Sequence, residues 1–182
     1  MEKSLTLHGR RFKLMIPNSE IMEAIEKTAD RINADYAGST EEDAPIILCT
    51  LSGAVIFFSE LLQRLNFPCE VKAFKLSSYS GTASTGVVRA ESNLSNVEGR
   101  RILVVEDIVD TGNTIVAMKE HLDKLGVKEV KICTMLLKPE VYNKPVKLDY
   151  VSMEIPNRFI VGFGLDYDEL GRNTRDIYVL DE

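Results

Sequence analysis

No apolar run in this chain approaches the roughly 20 residues that cross a bilayer. Residues 1–11 also lack the apolar centre of a secretory signal, so the expectation is a cytoplasmic protein without membrane contact. Cysteine is scarce. Cys49, Cys69 and Cys133 stand apart, with no Cys-x-x-Cys pair and no Cys/His cluster, so reduced core thiols are expected rather than disulfides or a zinc site. Basic charge is in deficit: 22 Lys and Arg against 28 Asp and Glu leave a net charge of −6. That balance argues against nucleic-acid binding, which relies on cations that neutralise phosphates. Small anionic substrates stay open, because local loops and Mg²⁺ can reverse the sign at one site. The two histidines, His8 and His121, fall in no catalytic arrangement; His121 reads as a packing or solvated residue of a helix. No internal repeat, low-complexity tract or Pro/Gly-rich linker is visible. What remains is an ordinary globular composition, 45% apolar and 27% charged, in 182 residues. That length suits one domain over 1–182 with a substantial core.

Along the chain, strands and helices alternate. Residues 4 to 16 carry β-formers and read as short strands or an arm. Ser19 then reads as an N-cap, with Ile21, Ala24, Ile25, Ala29 and Ile32 as a helical stripe. Residues 45–51 form a buried strand that breaks at Ser52, Gly53 and Ala54 before a helix bearing Phe57, Phe58, Leu61 and Leu65. Val71 to Tyr79 alternates as a strand, and 130–137, 150–153 and 177–180 are further strands. This rhythm predicts an α/β fold with a mostly parallel central sheet and helices on both faces. The first and last segments fall outside it and are expected to form a small hood over the C-terminal edge of the sheet.

The most informative stretch is 102–114. Ile102, Leu103, Val104 and Val105 run directly into Glu106 and Asp107; Asp110, Thr111, Gly112, Asn113 and Thr114 follow. The apolar run predicts a strand buried on both faces. Ile115, Met118, Leu122 and Leu125 predict a helix that Gly126 ends. The acids and the turn are therefore expected at the tip of a strand-loop-helix unit, where open α/β sheets place ligands. Backbone N–H groups, two hydroxyls and a helix N-terminus suit a phosphate. Two upstream carboxylates suit ribose hydroxyls or a hydrated Mg²⁺, which both want oxygen acceptors.

The wording of 106–112 resembles the phosphoribosyl-pyrophosphate (PRPP) loop of type I phosphoribosyltransferases, and most closely that of hypoxanthine-guanine phosphoribosyltransferases. The resemblance covers roughly 45–173 through four motifs in the family order. It implies the type I phosphoribosyltransferase fold and an Mg²⁺-dependent enzyme (Mn²⁺ as substitute) of purine salvage. Such an enzyme converts hypoxanthine, and guanine as a second base, with PRPP to IMP or GMP and pyrophosphate. It also implies a homodimer or homotetramer. By resemblance Glu106 and Asp107 hold the ribose hydroxyls directly or through Mg²⁺, and Asp110 takes the purine N7 proton as general base. Thr111, Gly112, Asn113 and Thr114 cradle the 5′-phosphate. Asn113 stands where relatives commonly carry Lys or Arg, and Ser52 does likewise.

Three further segments match by resemblance. The Ser52-Gly53 turn would bind pyrophosphate through backbone N–H groups exposed by a cis peptide between Ser52 and Gly53. Ser78 and Tyr79, followed by a small polar stretch from Gly81 to Gly86, resemble the family's mobile lid. Lys138, which alone would read as a solvated lysine ending a strand, would donate to the purine 6-oxo group. An ammonium has only donors and would reject the 6-amino group of adenine. Phe159 would stack on the base, and the backbone at Ile160 and Asp166 would bond its edge. Asp166 would also approach a Mg²⁺ on pyrophosphate, which Arg172 would hold by charge-assisted hydrogen bonds. Two rival readings are a PRPP synthetase, for which the chain is short, and a PRPP-sensing nucleic-acid-binding regulator that has lost catalysis. Asp110, Lys138 and the acidic balance count against the second.

Overall fold

The computed structural model describes residues 3–78, 88–90 and 94–181. Its centre is a five-stranded, all-parallel sheet. The strands are β3 (Ile46–Thr50), β4 (Glu70–Phe74), β7 (Arg101–Val109), β8 (Glu129–Leu137) and β9 (Tyr150–Glu154), in the order β4-β3-β7-β8-β9. The helices are α1 (Asn18–Tyr36), α2 (Val55–Leu62) and α3 (Asn113–Lys124). β3 and the run Ile102–Val105 of β7 are almost wholly apolar because both faces are covered, and side-chain alternation divides the sheet between two cores. Ile47, Leu103, Val105, Cys133 and Met135 pack with Ile21, Ile25 and Ile32 of α1 and Phe57 and Leu61 of α2. Ile46, Leu48, Ile102, Val104 and Ile132 pack with Ile115, Met118 and Leu122 of α3 on the other face. Each fully buried Ile or Leu contributes about 1.5–3 kcal/mol, which outweighs the weak helix propensity of the β-branched residues.

The expected hood is a second sheet. β1 (Ser4–Leu7), β2 (Arg10–Ile16), β10 (Ile160–Val161) and β11 (Ile177–Leu180) pair antiparallel in the order β1-β2-β11-β10. Ile160, Phe163, Leu165, Ile177 and Val179 join the core shared with α1 and α2, so the two sheets have one apolar layer in common.

Three local expectations are corrected, and one element is new. Ser19 is not the N-cap: α1 begins at Asn18 after Pro17, with no side-chain cap of its own. Its first amide, Asn18 N, instead donates to Asp176 Oδ1 at 2.8 Å, a partner 158 residues away. The strand expected over Val71–Tyr79 is two strands. β4 stays in the central sheet, whereas β5 (Leu76–Ser78) pairs antiparallel with β6 (Val88–Ala90). β7 continues through Glu106 and Asp107 to Val109, because its ladder with β8 runs on to the Val109–Leu137 pair. The acids are thus strand residues, not loop residues. Finally, the two-residue β10 is too short to announce itself by alternation.

Candidate active site

Strand register places the first pair of site residues. Val109 and Leu137 are partners at the ends of β7 and β8, and Lys138 N donates to Val109 O at 3.0 Å. Asp110 and Lys138 therefore leave neighbouring strands at the same edge, where Lys138 Nζ meets Asp110 Oδ2 at 2.8 Å. The lysine side chain is 10% exposed and the aspartate 46%, so a nearly buried ammonium faces an accessible carboxylate. The sequence assigned these two residues to different atoms of one base; the structure makes them a single ion pair.

The turn after Asp110 has the expected form. Gly112 is left-handed (φ 79°), occupies the N-cap position of α3 and leaves that end without a side-chain cap. The first-turn amides of a helix have no intrahelical acceptor and carry the positive end of its dipole. Thr111, Asn113 and Thr114 are exposed around them. Glycine is required here twice over, since a Cβ at Gly112 would also lie 2.4 Å from Tyr142 Cε2. Tyr142 was not foreseen. It lies in the irregular segment after Lys138, where no periodicity points it at the turn.

One strand over, the β3–α2 turn meets the acids. A Cβ at Gly53 would sit 1.7 Å from Asp107 Oδ2, so only glycine admits this approach. The cis peptide belongs one residue earlier than expected, between Leu51 and Ser52. The ladder still holds Leu51, whose N donates to Phe74 O at 2.8 Å, and the chain turns immediately after it. Ser52 is exposed and Gly53 buried. Asp107 Oδ1 accepts from the Ile108 amide at 2.9 Å. Glu106 is buried, with Oε2 lacking any partner among the described residues. Burial first, then the adjacent Asp107 carboxylate, pushes the Glu106 carboxyl well above the ordinary range. The nearby Cys49 thiol is pushed up to about 11 by burial and then by the same two carboxylates, so it stays a neutral thiol. All three cysteines are free.

The hood supplies the rest. Phe159 is 47% exposed although aromatic, held edge-on by Tyr167 with centroids 5.5 Å apart, and so presents ring surface to solvent. Its loop starts beside β8, where Ile155 N donates to Leu137 O at 2.9 Å. Ile160 is buried in β10 opposite Val179. Arg172 Nη2 meets Asp166 Oδ1 at 2.8 Å, and Nη1 donates to Gly164 O at 2.9 Å. Gly164 in turn lies against the β3–α2 turn: a Cβ there would be 2.1 Å from Gly53 O. Arg172 is thus joined to Gly53 through Gly164.

Glu106 and Asp107 lie together on β7, and Asp166 lies in the hood. Asp166 is engaged by Arg172 and by the Glu169 amide, which donates to Oδ2 at 2.9 Å. Among the described residues no group of three His, Cys, Asp or Glu is placed to hold a metal ion. Glu106 and Asp107 remain as two adjacent carboxylates, one with an unsatisfied buried oxygen. That set fits Mg²⁺, which characteristically takes one or two protein carboxylates and completes its shell with water and substrate phosphate. Of the expected lid, Ser78 ends β5, while Tyr79 and the stretch from Gly81 to Gly86 lie outside the described residues.

A parallel sheet whose C-terminal edge carries an acid pair, an uncapped helix start and a Lys–Asp pair defines the class, and comparison with known proteins agrees. Residues 17–168 match the phosphoribosyl transferase domain family. The hypoxanthine-guanine phosphoribosyltransferase of Streptococcus thermophilus (strain CNRZ 1066) is 37% identical over 172 residues, covering 93% of each chain. The solved hypoxanthine phosphoribosyl transferase of Trypanosoma cruzi aligns with a TM-score of 0.86 at 32% identity, over 97% of this chain and 95% of that one. A Staphylococcus aureus hypoxanthine phosphoribosyltransferase aligns at 0.84 and 30% identity, over 93% and 91%. The chain belongs to the hypoxanthine-guanine phosphoribosyltransferase family.

Proposed function

We propose that the protein transfers the phosphoribosyl group of PRPP to hypoxanthine, with guanine as a second acceptor, in purine salvage in the cytoplasm. The observation that carries the reading is the Asp110–Lys138 pair at the ends of β7 and β8, immediately before the uncapped start of α3. N9 of the base bonds to C1 of the ribose as the C1–oxygen bond to pyrophosphate breaks. The N7 proton passes to Asp110, a general-base role for an accessible carboxylate. Lys138 exchanges Asp110 for the 6-oxo group, so binding of the base releases the carboxylate to accept the proton. Thr111 to Thr114 hold the 5′-phosphate, Phe159 stacks on the base, and the backbone of Ile160 and Asp166 reads its edge. Gly53, Ser52 and Arg172 hold pyrophosphate, and Ser78 with Tyr79 belongs to the covering segment.

Asp107 and Glu106 hold the ribose hydroxyls, directly or through Mg²⁺, with Asp166 near the pyrophosphate side. When bound, Mg²⁺ (or Mn²⁺) neutralises charge on the leaving group. Self-association as a homodimer or homotetramer is part of this reading; Leu51 and Val55 are exposed at 39% and 44% beside the pyrophosphate turn. The deciding experiment is parallel turnover with hypoxanthine, guanine, xanthine, adenine and uracil. Hypoxanthine should be used well, and preference for adenine or a pyrimidine would refute the assignment of Lys138 and Phe159.

A further inference from the structure

We propose that Lys144 is a 5′-phosphate-binding residue, supplying from the loop after β8 the cation that position 113 lacks; this rests on the phosphoribosyltransferase reading above. The turn itself, Thr111-Gly112-Asn113-Thr114, carries no positive side chain. Its amides and the helix dipole favour an anion, yet a phosphate dianion still gains from a full opposite charge.

Lys144 lies across this turn. A Cβ on Gly112 would be 3.0 Å from Lys144 Cγ, so the lysine stem crosses the residue at the N-cap of α3. The three remaining bonds to Nζ give the ammonium reach over the first turn. Its position is fixed from both sides. The Tyr142 ring rests on Gly112, and the Tyr142 hydroxyl donates to Val146 O, closing 142–146 into a compact loop. Pro145 follows directly and restricts Lys144 to extended backbone.

The charge also has no other duty. Lys119, Lys131, Lys138 and Lys147 each meet an acid within 3.2 Å. Lys144 makes no ion pair or side-chain hydrogen bond among the described residues. It is only partly exposed, so its stem is ordered by packing while its head stays available. An uncommitted cation held beside a neutral, anion-type turn is a binding device rather than a solubility feature.

Calorimetric binding of IMP and of inosine, which lacks the phosphate, tests the assignment. The proteins are wild type, Lys144→Met, Lys144→Ala, a Lys147→Met charge control, and the double variant Asn113→Lys/Lys144→Met. Methionine keeps an unbranched stem over Gly112 and removes the charge. Wild type should prefer IMP, and Lys144→Met should lose about tenfold for IMP with inosine unchanged, the scale of one charge-assisted contact. The log–log salt dependence of IMP binding should become shallower, Lys147→Met should bind like wild type, and Asn113→Lys should restore affinity. Lys144→Met with full IMP affinity would overturn the proposal, even if Lys144→Ala lost it, because the role would then be packing alone. Equal loss for IMP and inosine would overturn it too. A wild type that does not prefer IMP over inosine would instead remove the phosphate reading of the turn, and this proposal with it.

Discussion

Asp110 and Lys138 show how far one residue type can be read without its neighbour. Each was assignable from its place at the end of a strand, but their 2.8 Å contact adds that they occupy each other before they occupy a base. Asp110→Asn keeps the shape and removes the basic oxygen, so single-turnover kinetics should show the chemical step slowed by about 10²–10⁴-fold. PRPP affinity should change far less. Lys138→Ala should lose most kcat/KM for hypoxanthine without making adenine a good substrate, as steady-state assays with both bases will show. The reason is that an unpaired buried donor is what rejects the wrong base, and removing it rewards neither. Asn113 stands where relatives commonly carry Lys or Arg, so the turn has no cationic side chain of its own. The structure places Lys144 beside the same turn, which no spacing rule connects to position 113.

At the scale of elements, contacts distant in sequence decide how segments end and meet. The start of α1 is satisfied by Asp176, which also accepts from Lys3 Nζ at 2.9 Å. The Lys3 ammonium first, and the Asn18 amide next, hold the Asp176 carboxyl below the usual carboxylate range. A depressed folded pKa means that the stabilisation is present above the unfolded value, and it fades as pH falls through the lower folded value. Asp176→Ala should therefore cost about 1–2 kcal/mol at pH 7, the scale of a lost helix cap. In urea titrations the gap to wild type should shrink as pH falls below about 4. The Gly164–Gly53 contact makes a second element-level prediction. Alanine at 164 would drive a Cβ to 2.1 Å from a backbone oxygen at φ 98°, where no flexible atom can yield. Gly164→Ala should lower the melting temperature and weaken pyrophosphate binding together, as thermal unfolding with and without pyrophosphate will report. A melting shift with pyrophosphate binding intact would separate the hood contact from the site.

For the whole molecule, the charge balance and the metal question belong together. A net charge of −6 and two adjacent carboxylates at the site are set against a polyanionic substrate. Activity should therefore vanish with EDTA and return with Mg²⁺ or Mn²⁺. Full turnover in rigorously metal-free buffer would remove Glu106 and Asp107 from metal binding. Among the described residues no helix is long and apolar enough to cross a membrane.

By itself the sequence determined the parallel sheet, the helices on its two faces and the glycine turn that opens α3. These are local facts: unbroken β-branched runs, a three-to-four spacing, and acids followed by a glycine turn all express themselves within a dozen residues. It also set the terminal segments apart as a hood, because they break the alternation, while their antiparallel pairing and β10 came from the tertiary structure. Only the tertiary structure decided which residues meet: Asp110 with Lys138, Arg172 through Gly164 with Gly53, Asp107 against Gly53, Asp176 on α1 and Lys144 over Gly112. It also engaged Asp166 with Arg172 and the Glu169 amide, and carried Glu106 and Asp107 into β7. Register and close packing fix such contacts. Both are properties of strands and turns brought together from opposite ends of the chain, and a linear pattern carries no distance between them.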